Sequence, residues 1–125
     1  MTKSHLLSQL VLNLIRNIDA SGIPAVYLSL HTADPGITGA SEVVAAEYNR
    51  KPITFGVPVD DYTLNDVLVI YDIAQSLWGD ISHAGLWDAP AAGNFLIGGA
   101  FIAPTNIDVN KVPVVQVGTL THQET

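Results

Sequence analysis

The sequence predicts a mainly β fold, an antiparallel β-sandwich or barrel-like domain carrying one N-terminal α-helix. Helical periodicity is confined to the N-terminus, and the strand-like segments that follow are short and regularly spaced. The loops between them are rich in Gly, Pro, Asn and Asp. With no second long helical pattern between the strands, antiparallel pairing is favoured over βαβ units. A chain of 125 residues is the size of one ordinary domain, so 1–125 is read as a single unit with a helix at about 4–19 and strands within about 25–121.

Leu6, Leu7, Leu10, Val11, Leu14, Ile15 and Ile18 recur at three- and four-residue spacing, which lines one helix face. Thr2 or Ser4 can cap the start, and Gly22 and Pro24 stop the helix. Ser8, Gln9, Asn13, Arg16 and Asn17 form a polar face for solvent or a partner. From Ala25 the period changes to two, with Val26, Leu28 and Leu30 pointing one way and Tyr27, Ser29 and His31 the other. Pro35 and Gly36 form a turn pair, and Ser41 is placed to cap a short helical turn over 42–46.

Further strands are expected at 52–57, 66–73, 81–88, 95–102 and 112–121. Two of these are apolar on both sides. In 66–73, Val67, Val69, Tyr71 and Ile73 oppose Leu68 and Ile70, and in 95–102, Phe95, Ile97 and Phe101 oppose Leu96, Ala100 and Ile102. Antiparallel strands normally keep one polar face, so such strands call for cover by the helix or by another subunit. Gly98 and Gly99 mark a bulge or a close backbone approach.

Composition points the same way. Hydrophobic residues make up 48% of the chain and charged residues only 14%, so polar cover is scarce and burial against neighbours is expected. The expected contact residues are Leu6, Leu10 and Leu14 of the helix, Leu68, Ile70, Leu96 and Ile102 of the strands, and Arg50, a cation placed to pair with an acid of this or an adjacent subunit. A net charge of −7 with only five scattered basic residues argues against nucleic acid as a partner. The apolar stretch 6–18 is interrupted by polar residues and too short for a membrane span, and it lacks a signal-peptide pattern. Without cysteine, neither disulfides nor thiolate metal sites contribute.

Residues 27–36, Tyr-Leu-Ser-Leu-His-Thr-Ala-Asp-Pro-Gly, are followed by Thr-Gly-Ala-Ser-Glu-Val at 38–43, Tyr-Asn-Arg at 48–50 and Ile-Thr-Phe at 53–55. A later block reads Trp-Gly-Asp-Ile-Ser-His-Ala-Gly-Leu-Trp-Asp-Ala at 78–89, then Gly-Asn-Phe-Leu at 93–96. These colinear blocks resemble a widespread group of small tailed-bacteriophage virion proteins often labelled tail-fibre proteins. The resemblance implies a structural part of a virion, made in the bacterial host cytoplasm and placed on the capsid surface or the tail. The chain lacks a repetitive shaft, which places a capsid cement or decoration protein, often a trimer, slightly ahead of a tail-fibre or baseplate component. The implied partners are further copies of the chain and other virion proteins, such as the major capsid protein or tail proteins.

No enzymatic constellation is evident, and no cofactor is expected. His31 with Asp34, or His83 with Asp88, offers mixed N and O metal ligands, but the spacing is not diagnostic. Adjacent Asp60 and Asp61 point apart on an extended chain and suit a solvated turn better than acid–base work. Ser82 and His83 are neighbours without a nucleophile elbow. Trp78 and Trp87 suit a core better than a sugar-stacking platform, although a receptor-binding tip would use them in the second way. In the core reading, Asp34 and Asn94 are turn residues bonding nearby backbone amides.

Overall fold

The computed structural model describes residues 2–15, 23 and 25–123. The fold is mainly β, with antiparallel sheets, one helix near the N-terminus and no closed barrel. Strand β1 (Thr2–Lys3) precedes helix α1 (His5–Ile15), and then come β2 (Val26–His31), β3 (Lys51–Ile53), β4 (Tyr62–Leu64), β5 (Val69–Ile70), β6 (Gly79–Trp87), β7 (Phe95–Ile107), β8 (Val114–Val115) and β9 (Thr121–Gln123). A five-stranded sheet has the order β1-β7-β6-β2-β3, and two small sheets pair β4 with β9 and β5 with β8.

Ser4 caps α1: its hydroxyl accepts from the Leu7 amide at 3.2 Å and its own amide donates to Leu96 O at 2.6 Å, tying the helix to β7. The predicted helix end at 16–19 lies outside the described residues. The helix packs less than its pattern suggests. Leu7 reaches the core, yet none of its residues is buried.

Cross-strand register sorts the two faces of the large sheet. Leu28 opposite Leu86 and Leu30 opposite Ala84 share the face that packs on Val69, Tyr71, Ala74, Trp78 and Ile81. Tyr27 opposite Trp87, Ser29 opposite Gly85 and His31 opposite His83 share the other. The Tyr71 hydroxyl donates to Leu28 O at 2.7 Å, fixing the small β5–β8 sheet to β2.

Several expectations change. Segment 42–46 is not helical: Ser41 has φ 65°, Glu42 bridges to His31, and the Val43 amide donates to Leu30 O at 3.0 Å. The backbone prefers this sheet edge to one unsupported helical turn. Only Val69–Ile70 of 66–73 is strand, and it is apolar on both sides without being covered on both, since Val69 is buried while Leu68 and Ile70 are exposed. Leu96 belongs to this chain's own core at 3% exposure, in a bulge where Leu86 pairs with Ile97 and Trp87 with Phe95. It therefore offers no contact surface. The side chain of Ile102 lies outside the described residues. No helix among the described residues is long and apolar enough to cross a membrane.

Candidate functional site

The blocks singled out in the sequence converge on one clamp that folds loop 32–41 back over the sheet. Ser29 and His31, expected on the face opposite Leu28 and Leu30, are both 0% exposed, and Ala40 of this loop meets the His31 ring. The loop is held by the Thr32 amide on Ser41 O at 3.1 Å and by the Gly39 and Ala40 amides on Pro35 O at 3.0 and 3.1 Å. Asp34 closes the turn, its carboxylate accepting from the Gly36 amide at 2.9 Å.

Missing side chains make room for the loop. A Cβ on Gly98 would overlap the Pro35 ring, and one on Gly85 would lie 2.6 Å from the Ser29 hydroxyl and 2.7 Å from His31 Nε2. Gly39 has φ +81° and a Cβ there would enter the Trp87 indole. Glycine is thus required at position 39 by conformation and by space together.

Beneath the loop the polar groups are paired in series. His31 Nδ1 lies 2.7 Å from Ala40 O and its Nε2 lies 2.6 Å from Ser29 Oγ, which also accepts from the Trp87 indole N–H at 2.9 Å. The neutral ring with its proton on Nδ1 satisfies all of these contacts. Burial pushes His31 below its ordinary value, against the opposing pull of the Ala40 carbonyl and Glu42.

Arg50 closes the clamp. Its Nε and Nη2 donate to the two Glu42 oxygens at 2.9 Å each, and its Nη1 donates to Ala89 O at 3.1 Å and Ala92 O at 2.8 Å. The guanidinium carbon stands 3.6 Å from the Trp87 ring centroid. Of the two partners open to this cation in sequence, the acid of its own chain is the one it meets, so Arg50 is turned inward as a staple. Glu42 also accepts the Tyr48 hydroxyl at 2.7 Å. Burial pushes the Glu42 carboxyl up, but the hydrogen bonds from Arg50 and Tyr48 outweigh it and hold the group below its ordinary value. Burial and the Glu42 carboxylate push Tyr48 up.

A second carboxylate does similar work on the Trp78 side of Tyr48. Glu47 Oε1 accepts from the Gln75 and Ser76 amides, the Ser76 hydroxyl and the Trp78 indole, at 2.8 to 3.1 Å. The Trp78 bond and the backbone amides hold its pKa down at about 2. Trp78 meets Tyr48 and Tyr71 edge-on while those two rings stack at 6.0 Å. Both tryptophans are core residues, so neither presents a face for a sugar.

The candidate ligand pairs do not form. His31 is enclosed with both nitrogens engaged, while Asp34 serves its own turn. His83 bonds Ser82 at 2.8 Å, and Asp88 binds the Asn94 amide at 2.7 Å and its side chain at 2.8 Å. Five residues along a strand separate His83 from Asp88 by about 16 Å. Asp60, with φ 53°, and Asp61 sit in an exposed turn closed between Val59 and Tyr62. Among the described residues, no three His, Asp or Glu gather as a metal-ligand set.

The decisive comparison is with protein families. The model of the Podophage GP4 fiber I protein gp80 family matches residues 2–123. The chain belongs to this family. No curated protein sequence matches it significantly. Membership of the gp80 family makes the chain a tailed-phage fibre-type protein, a structural virion component. Within this matched span, Ser29, His31, Ala40, Glu42, Arg50 and Trp87 from the blocks quoted above meet in the clamp.

Proposed function

We propose that this gp80-family chain is a non-enzymatic, self-associating building part of a tailed-phage fibre. The observation that carries this reading is unsealed apolar surface. Leu12, Leu14 and Ile15 of α1 are 57, 65 and 77% exposed, and the paired residues Ile70 and Val114 both look outward from the β5–β8 sheet. Single exposed apolar residues are ordinary, but a whole helix without a buried residue suits a chain covered by neighbours. The expected contact residues Leu6, Leu14, Leu68 and Ile70 are all available for such cover.

The family description names a fibre protein, so fibre takes precedence over capsid cement. Cement remains the second reading, favoured by the absence of a repetitive shaft in these 125 residues. Light scattering on the purified chain tests self-association, with a defined oligomer expected. Antibody labelling of intact particles then separates the two placements: label on fibres supports the first reading, and label over the capsid shell overturns it in favour of cement.

A further inference from the structure

Two surfaces of this chain are apolar and open, one convex and one concave. The convex one is α1. From His5 to Ile15 it contains no Asp, Glu, Lys or Arg, and Leu12 and Ile15 form an outward stripe three residues apart, with Leu14 at the same end.

The concave one is a groove of about 590 Å³ beside the far half of β7. It opens where the β6–β7 ladder loses register: Ile81 pairs with Thr105 but His83 with Ala100, so five steps on β7 face two on β6. Leu30, Ile81, Phe101, Ile107, Val112 and Val114 line the groove. Among the described residues no carboxylate lines it, and the one charged side chain is Lys111.

Charge and tethering select the occupant. The chain carries −7 with twelve acidic residues, so two copies repel wherever their carboxylates meet, and surfaces free of acid are where they approach. The helix and the groove are both such surfaces. The chain's own helix is held elsewhere, because β1 pairs with Ile97 and Gly98 and the Ser4 amide bonds Leu96 O. An eleven-residue helix is about 16 Å long, and the surface left open on Leu12, Leu14 and Ile15 equals about two whole aliphatic side chains. In a closed ring each copy is held at its helix and again at its groove, which doubles the area per copy toward the about 800 Å² of a stable interface.

We propose that α1 of one copy seats in the β7–β8 groove of the next, a head-to-tail contact between different surfaces of the same chain. This rests on the self-association proposed above. It is tested with the full chain carrying Leu14→Glu or Val114→Glu, both at exposed positions, with circular dichroism checking that each variant keeps the fold. Val112→Glu, in the same groove and also exposed, replaces Val114→Glu if that spectrum changes.

The expected result is that the unmodified chain forms a defined oligomer, each variant alone is monomeric, and an equimolar mixture gives a one-to-one heterodimer. The mixture is diagnostic because one variant retains a working groove and the other a working helix. A folded variant that keeps the parent's stoichiometry overturns the inference, as do two monomeric variants that fail to combine, and both leave self-association standing. A parent chain that stays monomeric at every concentration removes self-association as well.

Discussion

Replacing Arg50 with alanine removes the fork to Glu42, the bonds to Ala89 O and Ala92 O, and the stack on Trp87. The side chains of the pair are 9% and 21% exposed, so Glu42 is left short of partners in a largely desolvated place. Breaking a buried ion pair on one side costs about 3–5 kcal/mol. Glu42 keeps the Tyr48 hydroxyl and some access to water, which puts Arg50→Ala near the lower end, about 3 kcal/mol. For a chain of this length the melting temperature should fall by roughly 10 °C. Arg50→Lys keeps the charge but cannot supply the fork, two carbonyl bonds and a stacked plane together, so a loss of about 2 kcal/mol is expected. Urea unfolding of the two variants, with Glu42→Gln and the double variant completing a cycle, measures the coupling directly. A loss under about 1 kcal/mol for Arg50→Ala, the worth of an exposed pair, would refute the view that this residue staples the clamp.

Gly39→Ala should destabilise the fold by at least about 2 kcal/mol in urea unfolding, because the new methyl both enters the Trp87 ring and strains a φ of +81°. Asn65→Ala should cost about 2–4 kcal/mol by the same assay, since the buried amide donates to Val67 O and Gln116 O and accepts from the Leu120 amide. Stability should also fall with acid in two stages. His31 is held below its ordinary 6.5 by burial, so the unfolded chain binds the proton first and stability declines as pH drops below about 6.5. His31→Gln should flatten that part of a melting-temperature profile. Glu47, lowered from 4.5 to about 2, contributes stability above about 4.5 that is lost as pH falls toward 2, a step that Glu47→Gln should make smaller, the lowered Glu42 carboxyl supplying part of the rest.

Local chemistry settled a good part of this molecule in advance. The spacing of Leu7, Leu10 and Leu14 carries α1, the Ser4 hydroxyl its cap, and the alternation from Val26 onward β2. The Gly98 close approach and the Asp34 turn were legible for the same reason, since each depends on a residue type and its immediate neighbours. Short strands β1, β4 and β9 were not, because two or three residues carry no period and form only when a distant partner is already in place.

The short strand-like segments between turn-rich loops were enough for the mainly β class, and the colinear blocks for the family resemblance, from sequence alone. Tertiary structure decided which faces are sealed. Ser29 and His31 are buried with Ala40 of loop 32–41 on the His31 ring, Arg50 turns inward to Glu42 and Trp87, and Leu96 sinks into the core while α1 stays open. A residue's type sets what burial would gain, but only the path of the chain determines whether anything arrives to cover it.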